Sequence, residues 1–305
     1  MNSSIHKPVG AFVLTSYARK ASIILLSVVI IAACVYSGTP AYADSLSLGS
    51  VLPNFTVVSV GPKASIMLNS GPITGNVLLG DGTTSNSSGG GNGQVTGVVD
   101  VSPTVSGDDL THLQIAPTVV TVPSAEGVTA FDDAINLSIA AAALTPTQTF
   151  TQINGPTTIK GNGGLNVIDV GSLQNPTLTI SGTASDTFVF NISGFFNTNQ
   201  AITLNGVTAS QILWNLTGTS GNVLQTSGGD VLYGTFLATD GGNFQFSALD
   251  LKAGELINTD GNMQIVSNSK IESSQPFSPV PEPATLTMLA VGLAGLSWLR
   301  ARRYA

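Results

Sequence analysis

Catalysis needs reactive side chains brought close together, and this sequence supplies few of them. Between residues 44 and 278 there is one histidine, His112, and no cysteine, so Ser/His and Cys/His nucleophilic schemes lack their parts. Three sets of carboxylates could do acid–base work: Asp108-Asp109, Asp132-Asp133, and the spaced Asp240 and Asp260. Adjacent acids on a strand or helix point apart, so neither adjacent pair is preset for glycosidase geometry. Asp132-Asp133 fits better as charge at a helix N-terminus, and Asp240 and Asp260 each precede Gly, as turn residues do. His112 reads as a surface or loop imidazole. No His-Glu-x-x-His helix, Gly-x-Ser-x-Gly elbow or phosphate-cradling glycine loop occurs, nor any calcium-binding Gly-Gly-x-Gly-x-Asp run. The expectation is a non-enzymatic chain without cofactor or metal.

The sequence is rich instead in small polar groups. Charged residues make up 9% of it, against about a quarter in ordinary globular chains. Of ten basic residues, six lie near the termini, leaving Lys63, Lys160, Lys252 and Lys270 against sixteen acids once Glu282 is set aside, a net of −12. Such a body repels phosphate backbones, which excludes nucleic acid as a partner. Threonines recur with strand spacing at Thr177 and Thr179, and at Thr145, Thr147, Thr149 and Thr151.

Short β-branched runs separated by Gly, Asn and Asp turns must position these groups. They include 55–60, 177–180, 187–192 and 211–216; 83–93, nearly all Ser, Thr, Asn and Gly, reads as an exposed loop. One segment breaks the pattern. Residues 124–144 are alanine-rich, carry acids early and are closed by Pro146, which predicts a helix. Phe131, Ile135 and Ile139, spaced by four, would form its packing stripe, with Ala142 and Ala143 nearby. An internal echo follows: Phe190-Asn191-Ile192-Ser193-Gly194 returns as Trp214-Asn215-Leu216-Thr217-Gly218, and 234–241 is partly echoed by 254–261. Repeats of 20–24 residues suit stacked β-coils, with Phe188, Phe190 and Ile192 on one face. A β-sandwich is the alternative.

Both ends read as address labels. Lys7, Arg19 and Lys20 precede an apolar run from Ala21 to Val35 and the small-residue site Ala41-Tyr42-Ala43, the order of a cleavable signal peptide over 1–43. Ile31-Ala32-Ala33-Cys34 also reads as a lipobox, which would lipidate Cys34. At the other end, Pro281-Glu282-Pro283 precedes an apolar helix over 284–299 and a basic stop of Arg300, Arg302 and Arg303. The helix is short for a bilayer, and its arginines favour the cytoplasmic side.

These last residues resemble the PEP-CTERM sorting domain of Gram-negative, exopolysaccharide-producing bacteria. The resemblance implies an exosortase as processing partner, a transient membrane anchor within 276–305, and delivery to the cell surface or extracellular matrix. The region 44–275 would be one β-rich extracytoplasmic domain. Its order of elements, from Gly75-Asn76-Val77 through 141–146, 186–190, 212–215 and 234–238, resembles the choice-of-anchor A domain of bacterial surface proteins. It is similar in outline to the ice-binding-like β-solenoids, although Leu237-Ala238-Thr239 stands where many anchor-family members read Leu-Ala-Pro. This resemblance implies a right-handed β-solenoid with one helix packed alongside. The function expected is adhesion or association with exopolysaccharide; ice binding and a polysaccharide-acting enzyme are the alternatives.

Overall fold

The computed structural model describes residues 46–69, 72–85, 94–107, 118–219, 221–266, 268–272 and 275–279. The signal-site residues Cys34, Ala41 and Ala43, the Pro281-Glu282-Pro283 motif, the helix over 284–299 and Arg300, Arg302 and Arg303 lie outside them, as do Asp108, Asp109 and His112. No helix among the described residues is long and apolar enough to cross a membrane.

The chain winds as a stack of coils, each made of three short strands joined at corners. One coil runs Thr187–Ile192, Phe196–Thr198 and Thr203–Asn205. The next runs Ile212–Leu216, Asn222–Thr226 and the start of Val231–Ala238. Every strand pairing among the described residues is parallel. A sandwich is built from antiparallel sheets, so that alternative falls and the fold is a β-solenoid. Thr84–Ser85, expected in a loop, is a short strand between Ser65–Leu68 and Ser106–Gly107.

The sequence echo is the strand register itself. Phe190, Asn191 and Ile192 pair with Trp214, Asn215 and Leu216, and Gly234 to Ala238 pair with Gly254 to Asn258. Like therefore stacks on like one coil away. Phe188, Phe190 and Ile192 all point into the solenoid interior, as their alternation implies. There Phe190, Trp214 and Phe236 form a column, with ring centroids 4.2 and 5.5 Å apart and planes tilted by 19° and 8°.

The stack is assembled from two halves of the chain. Val57–Val60 begins one half, which builds outward through Val77–Leu79 and Val99–Val101 to Val119–Thr121. The helix Ser124–Ala142 then runs back along the stack. Gln148–Lys160 starts the second half at the opposite end, and later coils return until Leu256 pairs with Val57. This ladder has ten strands, roughly 43 Å at about 4.8 Å per step. The 19-residue helix covers about 28 Å of that at 1.5 Å per residue, and the connections on either side of it span the rest.

The helix occupies almost the predicted range, but its buried face differs. Gly127, Ala130, Ala134, Leu137, Ser138 and Ala141 are buried, whereas Ile139 is 63% exposed and Phe131 and Ile135 are only half-buried. The strand face beneath already presents Val58, Leu78, Val189, Leu213, Leu237 and Ile257. A bulky stripe would hold the helix away from it, so small residues face inward. A Cβ at Gly127 would lie 2.9 Å from the Gly80 Cα. Asp132 and Asp133 sit two turns into the helix, and its first-turn acid is Glu126. The dipole reading of that pair is therefore wrong; the Asp133 carboxylate instead accepts the Ser50 N–H at 3.3 Å.

Polar groups of the repeat lock the helix down. The Asn215 amide donates to the Ser138 carbonyl at 3.1 Å and to Asn191 Oδ1 at 2.9 Å, and accepts the Ser138 hydroxyl at 2.7 Å. The Asn191 amide donates to the Ala141 carbonyl at 3.0 Å and to Asp169 Oδ1 at 3.2 Å. Asn215 is fully buried, so Asn215→Ala leaves several buried groups without partners. We expect a loss of about 2 kcal/mol in denaturant unfolding; an unchanged midpoint would show that the network contributes nothing.

Candidate functional site

Asp186 and Asp260 brace turns through backbone N–H groups. Asp240 is exposed, and Asp260 adopts a left-handed φ of 59° while accepting the Lys63 N–H at 3.1 Å, as turn residues do. Burial pushes the Asp186 carboxyl up, but the N–H groups of Gly163 and Thr183, the Asn166 amide and the Thr183 hydroxyl outweigh it and hold the group below its usual range. No cluster of three or more metal-ligating side chains occurs among the described residues.

Glu255 differs from these in its chemistry. It is fully buried, and burial pushes its carboxyl up to about 8, against the Thr235 hydroxyl at 3.0 Å and the Phe277 N–H, which pull it down. It lies under the segment 275–279, whose Phe277 is buried and whose Ser278 N–H bonds the Ser210 carbonyl at 2.8 Å. The folded chain keeps this proton to about pH 8, while the unfolded chain releases it near 4.5. The contribution is therefore full below pH 4.5 and is lost as pH rises through 8. Glu255→Gln should remove a pH-dependent loss on the order of a few kcal/mol, read as the difference between wild-type and variant denaturation midpoints from pH 5 to 9. Parallel pH profiles would contradict the assignment.

The outward groups of the second strand of each coil form a different kind of surface. Inward, Ile153, Leu173, Phe196, Leu224, Phe244 and Met263 stack in register. Outward, the neighbouring rung is Asn154, Gln174, Asn197, Gln225, Gln245 and Gln264, ending at Met67. A second outward rung carries Asn222, Asn243, Asn262, Ser65, Thr84 and Ser106. Neither rung contains a charge. Each amide offers both donor and acceptor, and cross-coil bonds pre-orient them: the Gln152 amide donates to Gln174 Oε1 at 3.0 Å, and Asn222 donates to Gln245. The six amides of the first rung span roughly 24 Å.

Glycines make this face regular. Gly171, Gly194, Gly218, Gly242 and Gly261 turn the corner in successive coils, and a Cβ on any of them would lie 2.2 to 3.0 Å from the carbonyl oxygen of the coil before. The amide of the first rung follows its corner glycine by three positions at Gln174, Asn197, Gln245 and Gln264. Sequence inspection overlooked this rung, and the glycine-plus-three spacing was the signal that could have found it.

Threonines are less extensive than the amides. Thr179 is flanked in register by Thr158 and Thr203 on the third face, and Thr177 by Pro156. Further along that face stand Val231, Asp250 and Lys270, where Lys252 also bridges Asp250 at 2.8 Å and Glu272 at 3.2 Å. Thr149 and Thr151 belong to the terminal strand Gln148–Lys160. The Thr147 hydroxyl bonds the Val167 carbonyl at 2.9 Å. The two threonine runs thus do not merge into one array.

Residues 38–271 match the family of the ice-binding-like adhesive domain, and residues 279–303 match the PEP-CTERM protein-sorting motif. Among solved structures, an ice-binding protein from Arctic yeast is 19% identical, with a TM-score of 0.49 over 78% of this chain and 97% of the other. An ice-binding protein from the Antarctic ascomycete Antarctomyces psychrotrophicus is 16% identical, with a TM-score of 0.44 over 78% and 99%. The DUF3494 domain of a Shewanella frigidimarina ice-binding protein is 16% identical, with a TM-score of 0.43 over 77% and 98%. No curated protein matches the chain.

Proposed function

The chain belongs to the ice-binding-like adhesive domain family, and on that premise we propose that it is a non-enzymatic surface or matrix protein that holds hydroxyl-rich polymers on its amide face. The observation that carries this reading is the uncharged ladder from Asn154 to Gln264, repeated across six coils. A rigid row of paired donors and acceptors suits a polymer whose hydroxyls also repeat, because the row loses little conformational freedom on binding. The PEP-CTERM motif marks an exported chain sorted by an exosortase to the cell surface, with passing membrane association. In this reading the signal over 1–43 is removed after Ala43, or the chain is lipidated at Cys34. Processing at Pro281-Glu282-Pro283 then removes the helix over 284–299 with Arg300, Arg302 and Arg303. The test is incubation of the full chain with the exopolysaccharide of its host. Co-sedimentation without new reducing ends is the expected result; released sugar would replace the adhesive reading with an enzymatic one.

Ice binding is the second reading, favoured by the ladder of Thr158, Thr179 and Thr203. That ladder stops after three coils, so we expect no thermal hysteresis from the full chain. Measurable hysteresis, abolished by Thr179→Tyr, would move the function to the third face.

A further inference from the structure

The amide face has one irregular coil, and a cleft lies there. Three more residues separate Gly218 from its rung residue Asn222 than separate Gly242 from Asn243, and a bulge at Val223 adds a fourth before Gln225. Beside this widened corner is an open cleft of about 570 Å³, bordered by Ser193, Phe195, Asn197, Asn222 and Gln225. Phe195 is 39% exposed. It stands one position after its corner glycine, where the coils of Gly171, Gly242 and Gly261 carry Ser172, Asn243 and Asn262. It is thus the single aromatic on that rung among the described residues. Its backbone is held, because its carbonyl accepts the Leu173 N–H at 2.9 Å and the next residue, Phe196, packs on Trp214 at 5.2 Å.

We propose that this cleft is a saccharide subsite that seats one pyranose ring of a neutral glycan. An exposed aromatic ring on a rigid backbone offers an apolar platform with a negative π face, which matches the C–H face of a sugar. Asn197, Asn222 and Gln225 surround it with planar groups that both donate and accept, which matches adjacent hydroxyls. A concave site with an apolar surface and a few convergent polar groups is the usual form of a small-ligand pocket. No lysine or arginine lines the cleft, and the body of the protein is strongly acidic, so uronates and phosphates are disfavoured. The proposal rests on the glycan-holding reading of the amide face.

The test uses the full chain in detergent micelles and calorimetric titration with cellohexaose, laminarihexaose, mannohexaose and a galactan hexamer, with oligogalacturonate as the anionic arm. We expect binding of at least one neutral hexamer and none of the oligogalacturonate. Affinity should fall at least tenfold in Phe195→Ala and persist in Phe195→Trp, both with wild-type melting temperatures because the side chain is not in the core. Failure of all neutral hexamers, or equal binding by wild type and Phe195→Ala, would overturn the subsite. Co-sedimentation with the host exopolysaccharide separates the two readings: if wild type and Phe195→Ala sediment equally, the face stands and the subsite falls, and if neither sediments both fall.

Discussion

Replacing Trp214 with alanine is expected to lower the unfolding free energy by about 3–5 kcal/mol. Trp214 is fully buried at the centre of the aromatic column, between Phe190 and Phe236 and against Phe196. Its indole N–H donates to the Tyr233 carbonyl at 2.8 Å, so truncation removes both a large apolar volume and a buried donor that the carbonyl needs. Collapse is resisted because each coil is pinned in register by its neighbours on both sides. In a stacked-coil protein the damage should concentrate in the coils adjoining the cavity, giving early hydrogen exchange in 187–192 and 231–238. Trp214→Phe, which keeps the stack and loses the donor, should recover most of the stability. A Trp214→Ala chain that melts like wild type would show that the column does not hold the coils.

Gly254→Ala is expected to cost about 2–6 kcal/mol. Gly254 holds φ at 145°, and a Cβ there would lie 2.0 Å from the Gly234 carbonyl oxygen of the coil before. The substitution therefore adds backbone strain of about 1–3 kcal/mol to a displacement of packed backbone, typically another 1–3 kcal/mol. Gly164→Ala serves as the control. Its φ is not in the left-handed region, and the nearest atom to a Cβ there is 3.8 Å away, so it should be neutral or slightly stabilising through the unfolded chain. Equal unfolding midpoints for the two variants would contradict the close stacking of these corners.

The solenoid was legible wherever stacking demands chemical likeness. Phe190 and Trp214 must pair ring on ring, and Asn191 and Asn215 both hold the helix, so type and order repeat visibly. The helix range was equally legible, because alanine content and Pro146 act locally. Its rotation was not, since Phe131, Ile135 and Ile139 look like a packing stripe until the branched strand face beneath is known. The amide face was hidden for two physical reasons. The extra residues after Gly218 break the period, and the second rung continues from Asn262 to Ser65, almost two hundred positions away in the sequence. The phosphate-repelling charge and the lack of nucleophilic parts were readable from composition alone. The cleft at Phe195 was not, because it exists only where two neighbouring coils meet.

Whether the amide face holds the polymer is measured by comparing two charged faces on one scaffold. Binding of the full chain to purified host exopolysaccharide would be measured for wild type, for Gln225→Glu with Gln245→Glu and Gln264→Glu, and for Thr158→Glu with Thr179→Glu and Thr203→Glu. Polymer binding on the amide face predicts at least a tenfold loss in the first triple variant and wild-type affinity in the second, with all three chains equally folded. Undiminished binding by the glutamine variant, or loss confined to the threonine variant, would contradict it.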